Sequence, residues 1–206
     1  MHDILFDTYK NIPISIVTLE FIAFITGIWS VWLAKNEKIL AYPIGLIGTS
    51  ITVYLLYKAQ YFGDMLVNVY FSIMAIYGWL VWAGVFSENQ PITVSRTNRR
   101  EKSIGTLLFI FTICVIFGVY GLFDHALRIE NYIDVLTAGI FFTAMWLMAR
   151  KKIENWVLWI IGNSIAIPLY AYRSLGMLAI QYLIFTILAV QAYMAWKKII
   201  NSKSPI

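Results

Sequence analysis

An all-helical protein that crosses a membrane seven times is the fold class this sequence predicts, and three observations predict it. Of its 206 residues, 60% are hydrophobic and 13% charged, against roughly 45–50% and about 25% in a soluble domain. The apolar residues fall in seven continuous runs and do not alternate with period two, so the spans are helices and not barrel strands. With those runs as alternating spans, Lys10, Lys58, Arg128 and Arg173 share one side and the other twelve of the 16 Lys and Arg share the opposite side. The positive-inside rule makes the crowded side cytoplasmic. The N-terminus is then outside and the C-terminus cytoplasmic.

The first run, Ile14–Leu33, follows MHDILFDTYK. That start is acidic and lacks the basic region of a cleavable signal peptide, so the run reads as the first span. It carries Glu20 and the pair Trp29 and Trp32. The second, Tyr42–Tyr57, carries Thr49, Ser50 and Thr52, with Gln60 at its outer end. The third, Met65–Phe86, opens beside Asp64 and places Asn68 one turn later. A polar stretch, Ser87–Lys102, leads to the fourth run, Ile104–Phe123, and the fifth follows at Ile133–Met148. The sixth, Trp156–Tyr172, presents Asn155, Trp159, Asn163, Ala166 and Tyr170 at helical spacing, and its Pro168 removes a backbone hydrogen bond where a hinge could form. The seventh, Met177–Trp196, carries Gln181 and Gln191. Runs two, five and six are short for a span of roughly 20 residues.

The chain also matches itself at an offset of 114 residues. Glu20 falls on Asp134, Trp32 on Trp146, Gly48 on Gly162, Ser50 on Ser164, Phe71 on Phe185 and Trp82 on Trp196, without a gap. Helices 1–3 therefore repeat as helices 5–7, in a 3+1+3 arrangement. Four spans separate the copies, so the repeats are parallel, an arrangement found in transporters with sites between the halves near the midplane. Residues 1–86 form the first bundle, 87–131 the loop and linking helix, and 132–206 the second bundle and tail.

Polar groups in hydrocarbon are costly and usually face a cavity or a partner. Glu20, Thr49, Gln60, Asp64, Asn68, Asn163 and Gln181 are the candidates for contact with a ligand, and Trp156 and Trp159 the candidates for stacking. Each has a plainer reading. Glu20 can be solvated at the outer interface, Asp64 can cap a helix, the amides can tie helices together, and the tryptophans can belong to interfacial belts. Trp159 is favoured because it shares a face with Asn163; a stacked ring with an amide beside it suits a flat cationic ring that carries hydrogen-bonding groups.

Other chemistries lack their residues. There is no Gly-rich phosphate loop. His2, His125 and Cys114 cannot assemble a metal centre, and no membrane-protease motif occurs. No cofactor and no enzyme activity are expected. The expected partners are a small-molecule substrate and the lipid bilayer. The net charge of +5 needs no nucleic acid to explain it. A homo-oligomer is compatible with so small a membrane protein, and a seven-helix sensor that binds without transport is the alternative class.

The stretches Glu20–Ala34, Tyr42–Trp82 and Glu154–Trp196 resemble the PnuC family of bacterial nicotinamide riboside transporters, most specifically in the YGWxxW that ends helix 3 and the ENWxxW that opens helix 6. The sequence departs from that family's usual pattern at Asn163, where an acidic residue is common, and at Gln191, where glycine is common. The resemblance implies a fold like that of the sugar-exporting SWEET proteins and a place in the bacterial inner membrane. It also implies facilitated diffusion by alternating access, without ion or ATP coupling, and trapping of the vitamin by cytoplasmic phosphorylation. Relatives in the family carry thiamin or riboflavin. Thiamin, like nicotinamide riboside, is a cation with flat rings, and riboflavin is neutral and larger.

Overall fold

The computed structural model describes residues 13–59, 62–86, 92–123, 129–172 and 176–202, and within these the side chains of 62–64, 119–120, 122–123, 129–130 and 176–177 are left aside. Seven helices run through the described residues: α1 Ile14–Lys35, α2 Ala41–Lys58, α3 Phe62–Trp82, α4 Arg99–Phe123, α5 Ile129–Ala149, α6 Glu154–Tyr172 and α7 Gly176–Ser202. Six of the seven apolar runs lie wholly inside a helix. The third overshoots: α3 stops at Trp82 because Gly84 turns the chain with φ +79°, and the Val85 N–H returns to the Leu80 carbonyl at 3.1 Å. This is a Schellman ending, which glycine adopts without steric cost.

The helices are longer than the runs because polar residues at their ends also take helical geometry. Asn98 and Glu101 show how. The Asn98 side chain accepts the Glu101 N–H at 2.8 Å, and the Glu101 carboxylate accepts the Asn98 N–H at 2.9 Å. This reciprocal capping box starts α4 five residues before its first apolar residue. Five helices (all but α2 and α6) are long and apolar enough to cross a membrane by length and composition. The other two are the middle helices of their bundles, α2 between α1 and α3, and α6 between α5 and α7. A helix with neighbours on two sides can carry polar residues away from lipid, and α6 does so with Asn155 and Asn163.

The bundles meet along two seams, α1 against α7 and α3 against α5, and α4 packs on α5. The helix–helix corners after α1 and after α5 are built alike. Glu37 and Lys151 are the two non-glycine residues with positive φ among those described, at 53° and 51°. The N–H groups of Lys38 and Lys152 return to the carbonyls of Leu33 and Leu147 at 3.0 and 2.9 Å. Across the seam Lys151 pairs with Glu37 at 3.2 Å, residues 114 apart in sequence. The last tryptophan of each bundle reaches into the other: the Trp82 indole donates to the Ala149 carbonyl at 3.2 Å, and the Trp196 indole to the Lys35 carbonyl at 3.2 Å. The main apolar core gathers at this basic end, around Leu33, Ala41, Met148, Ile153, Trp156 and Trp196.

The segment before α4 is fastened to the second bundle. Ser95 forms a two-bond bridge with the corner, taking the Ile153 N–H at 3.0 Å and donating to the Lys151 carbonyl at 3.1 Å. Lys152 pairs with Glu101 at 3.0 Å, and Glu154 accepts the Thr97 N–H at 3.0 Å.

Candidate functional site

A glycine on α6 sets the site. Gly162 lies under the Phe141 ring, where any Cβ would collide with it. That contact draws α5 onto α6 and brings Phe141 over Trp159, rings 5.3 Å apart and 26° from parallel. Phe141 also stacks on Tyr182 of α7 at 6.0 Å and 25°, and Tyr182 stacks on Tyr170 at 5.0 Å and 20°. From α3, Phe71 meets Trp159 at 6.3 Å. Tyr70 lies flat on Phe142 at 3.7 Å and donates to the Phe142 carbonyl at 3.0 Å. Four helices thus converge in one layer of rings, and apolar faces of this kind supply area and orientation for a flat ligand.

Two polar atoms in this layer are unspent. The Trp159 indole N–H and the Asn163 side-chain oxygen have no hydrogen-bond partner among the described residues. Asn163 is 1% exposed. A buried polar atom without a partner costs roughly 1–3 kcal/mol; Trp156 Nε1, Asn155 Oδ1 and Thr97 Oγ1 are in the same state outside the ring layer. Gln181 of α7 faces α1: a Cβ on Gly27 would lie 3.6 Å from its amide nitrogen and 3.5 Å from the Phe185 ring.

Of the other expected site residues, Trp156 and Thr49 have partners outside the ring layer. Trp156 is buried at the basic end, edge-on to Trp196 at 5.3 Å, and belongs to the core there. Thr49 accepts the Ser72 hydroxyl at 2.8 Å and ties α2 to α3. Asn68 stands one turn from Ser72 on α3, and its backbone carbonyl accepts the Ser72 hydroxyl at 3.0 Å. Glu20 is half-buried on α1. Gln60 and the side chain of Asp64 lie outside the described residues. Phe141, Phe71 and Tyr182 were not among the expected residues. Phe141 is one of 13 phenylalanines in the chain, most of them in apolar runs, and no local signal separates it from the rest. Tyr182 follows Gln181 directly, and that adjacency was the one available cue.

Two surface hollows stand open, about 700 Å³ beside Trp32, Lys38 and Leu40, and about 260 Å³ between α2 and α3 at Ser50 and Ser72. Neither includes a residue of the ring layer. Among the described residues no group of His, Cys, Asp or Glu could hold a metal.

Comparison with known proteins gives the same direction at three levels. The family model described as nicotinamide mononucleotide transporter matches residues 17–198. The nicotinamide riboside transporter PnuC of Escherichia coli is 26% identical over 205 residues, covering 86% of this chain and 84% of that one. The protein of the same name from Neisseria mucosa is 26% identical over 197 residues, covering 90% and 74%. The crystal structure of a vitamin B3 transporter PnuC superposes with a TM-score of 0.73 at 24% identity, covering 90% of this chain and 83% of the other, and the two share a fold.

Proposed function

This chain belongs to the nicotinamide mononucleotide transporter family, and on that premise we propose that its cargo is nicotinamide riboside or a closely related vitamin. Family membership makes it a multi-pass membrane transporter and not an enzyme. The observation that carries the cargo is the pair of unpaired polar atoms, the Trp159 N–H in the stack of rings and the Asn163 oxygen one helical turn on. Nicotinamide riboside has a flat cationic ring, which suits a tryptophan face. Its carboxamide can both donate and accept, which suits an indole N–H beside an amide oxygen. Curated relatives bear the riboside in their names, whereas the family description bears the mononucleotide. The mononucleotide adds a phosphate, which calls for Arg or Lys. Trp159, Asn163, Phe141, Tyr182, Gln181 and Phe71 are all uncharged, so the riboside fits better.

Transport in this reading is uniport by alternating access, with the two three-helix bundles rocking about the ring layer. The cargo runs down its gradient into the cell and is kept there by phosphorylation in the cytoplasm. The basic end is the cytoplasmic end, and the membrane is the bacterial inner membrane; the distribution of Lys and Arg supports this. The exchanged seams and the paired corners 114 residues apart support the parallel repeat. The Trp82 and Trp196 bonds then form a clasp across the cytoplasmic side, and opening inward breaks it. Self-association of the small chain belongs to the same reading and is checked by cross-linking in native membranes.

Purified protein is titrated with nicotinamide riboside, nicotinamide mononucleotide, thiamin and riboflavin, and uptake into sealed liposomes follows. A ligand of the folded state raises the melting temperature. Nicotinamide riboside is expected to do so and to enter the liposomes. Selective binding of thiamin would move the cargo within the family. Binding without uptake would replace transport with sensing. Trp159→Ala is expected to abolish binding in a folded protein, and wild-type affinity in that variant would remove Trp159 from the site. For orientation, a cysteine at Ser95 in a Cys114→Ser background is expected to resist an impermeant maleimide until cells are opened.

A further inference from the structure

Phe141 occupies an unusual place for a core residue. Its ring stacks nearly parallel on Trp159 and on Tyr182, at 5.3 and 6.0 Å, and links the two. It is 7% exposed. It lies there only because position 162 is glycine. Yet two buried polar atoms of the same helix lack partners: the Trp159 N–H, in the plane of the ring whose face Phe141 covers, and the Asn163 oxygen, one residue beyond Gly162. A phenyl ring has no group to offer either atom. A flat ring whose amide reaches past the indole edge keeps the stacking and brings a donor and an acceptor toward that helix. The position 114 residues earlier, equivalent to Phe141 in the repeat, is Gly27, so only one bundle carries such a ring.

We propose that Phe141 is a gate residue of the binding site: its ring fills the stack between Trp159 and Tyr182 when the site is empty, and leaves it when the flat ring of the cargo enters. The proposal rests on the vitamin-transport reading above. Its consequence is that Phe141 sets selectivity by competition. A ring enters only if its contacts exceed those that Phe141 gives up, and a ring without hydrogen-bonding groups gains too little to do so.

The test compares wild type, Phe141→Ala and Trp159→Ala for binding of nicotinamide riboside, thiamin and riboflavin by calorimetry. With the competing ring removed, Phe141→Ala is expected to bind the wild-type ligand as tightly or severalfold more tightly, and to discriminate less against riboflavin. Loss of affinity in Phe141→Ala as large as in Trp159→Ala would make Phe141 a fixed wall and overturn the gate. A second measurement does not depend on the cargo. Benzamide and toluene are added to Phe141→Ala and to wild type, and melting temperatures are read. The gate predicts that benzamide stabilises Phe141→Ala more than toluene does, and more than it stabilises wild type, where it must first displace the ring. Toluene stabilising as well as or better than benzamide would show an ordinary apolar cavity and overturn the gate. Wild type binding none of the three vitamins, with benzamide still preferred in Phe141→Ala, would sink the cargo and leave the gate standing.

Discussion

Asn163 shows what one residue can reveal about function. It is buried and its oxygen is unpaired, so it weakens the empty protein. Asn163→Leu, of similar size, is therefore expected to raise the melting temperature of the ligand-free protein, with a stability gain of up to roughly 1–3 kcal/mol, while weakening cargo binding. A fall in melting temperature without change in affinity would show that the amide serves the fold. Asn163 and Trp159 were legible in the sequence because both lie on one helix, where spacing alone decides whether two residues share a face. Trp156 and Trp159 look alike there, three positions apart on nearly one face. Their different settings, one against Trp196 and the other against Phe141, depend on which helix packs opposite, and no local spacing encodes that. Phe141 enters the ring layer from a different helix, so no spacing along α6 could point to it.

At the level of single elements, helix ends are where hydropathy misleads. Apolar runs locate the segment that lies in lipid, but the backbone stays helical until a cap or a turn stops it. Hence α4 begins at Arg99, on the Asn98–Glu101 box, and α3 ends before Gly84. Asn98→Ala is expected to lower stability by about 1 kcal/mol, the usual cost of losing such a cap, and a thermal melt reads it. Gly78 of α3 carries a stricter constraint, since a Cβ there would run into the buried Tyr42 ring of α2. Gly78→Ala is expected to cost roughly 1–3 kcal/mol by forcing the two helices apart. An unchanged melting temperature would mean that Tyr42 has room to move. The Gly78 contact could not be read from sequence, because a glycine in an apolar run gives no sign of what faces it.

For the whole molecule, the helix count was legible, since lipid imposes long apolar runs. The way the halves interlock was not. Each bundle ends in a tryptophan whose indole bonds a carbonyl at the end of the other bundle's first helix. Trp82→Phe and Trp196→Phe each remove the indole N–H, which Trp82 shares between the Met148 and Ala149 carbonyls, and leave a smaller ring. Each is expected to lower stability by about 1–3 kcal/mol, the lost bond together with the space the phenyl leaves. The double variant is expected to depart from additivity, because the two rings touch, 6.3 Å apart; strict additivity would show two independent bonds. The same interlock orders the protein's birth. Helix α1 leaves the ribosome first and α7 last, yet the Lys35 carbonyl receives its bond from Trp196. The first bundle must therefore wait in the bilayer, its seam open, until nearly the whole chain has been translated. A chain cut short before residue 196 would carry every polar group of the ring layer and still leave that carbonyl bare, offering quality-control proteases a way to tell a finished molecule from an unfinished one.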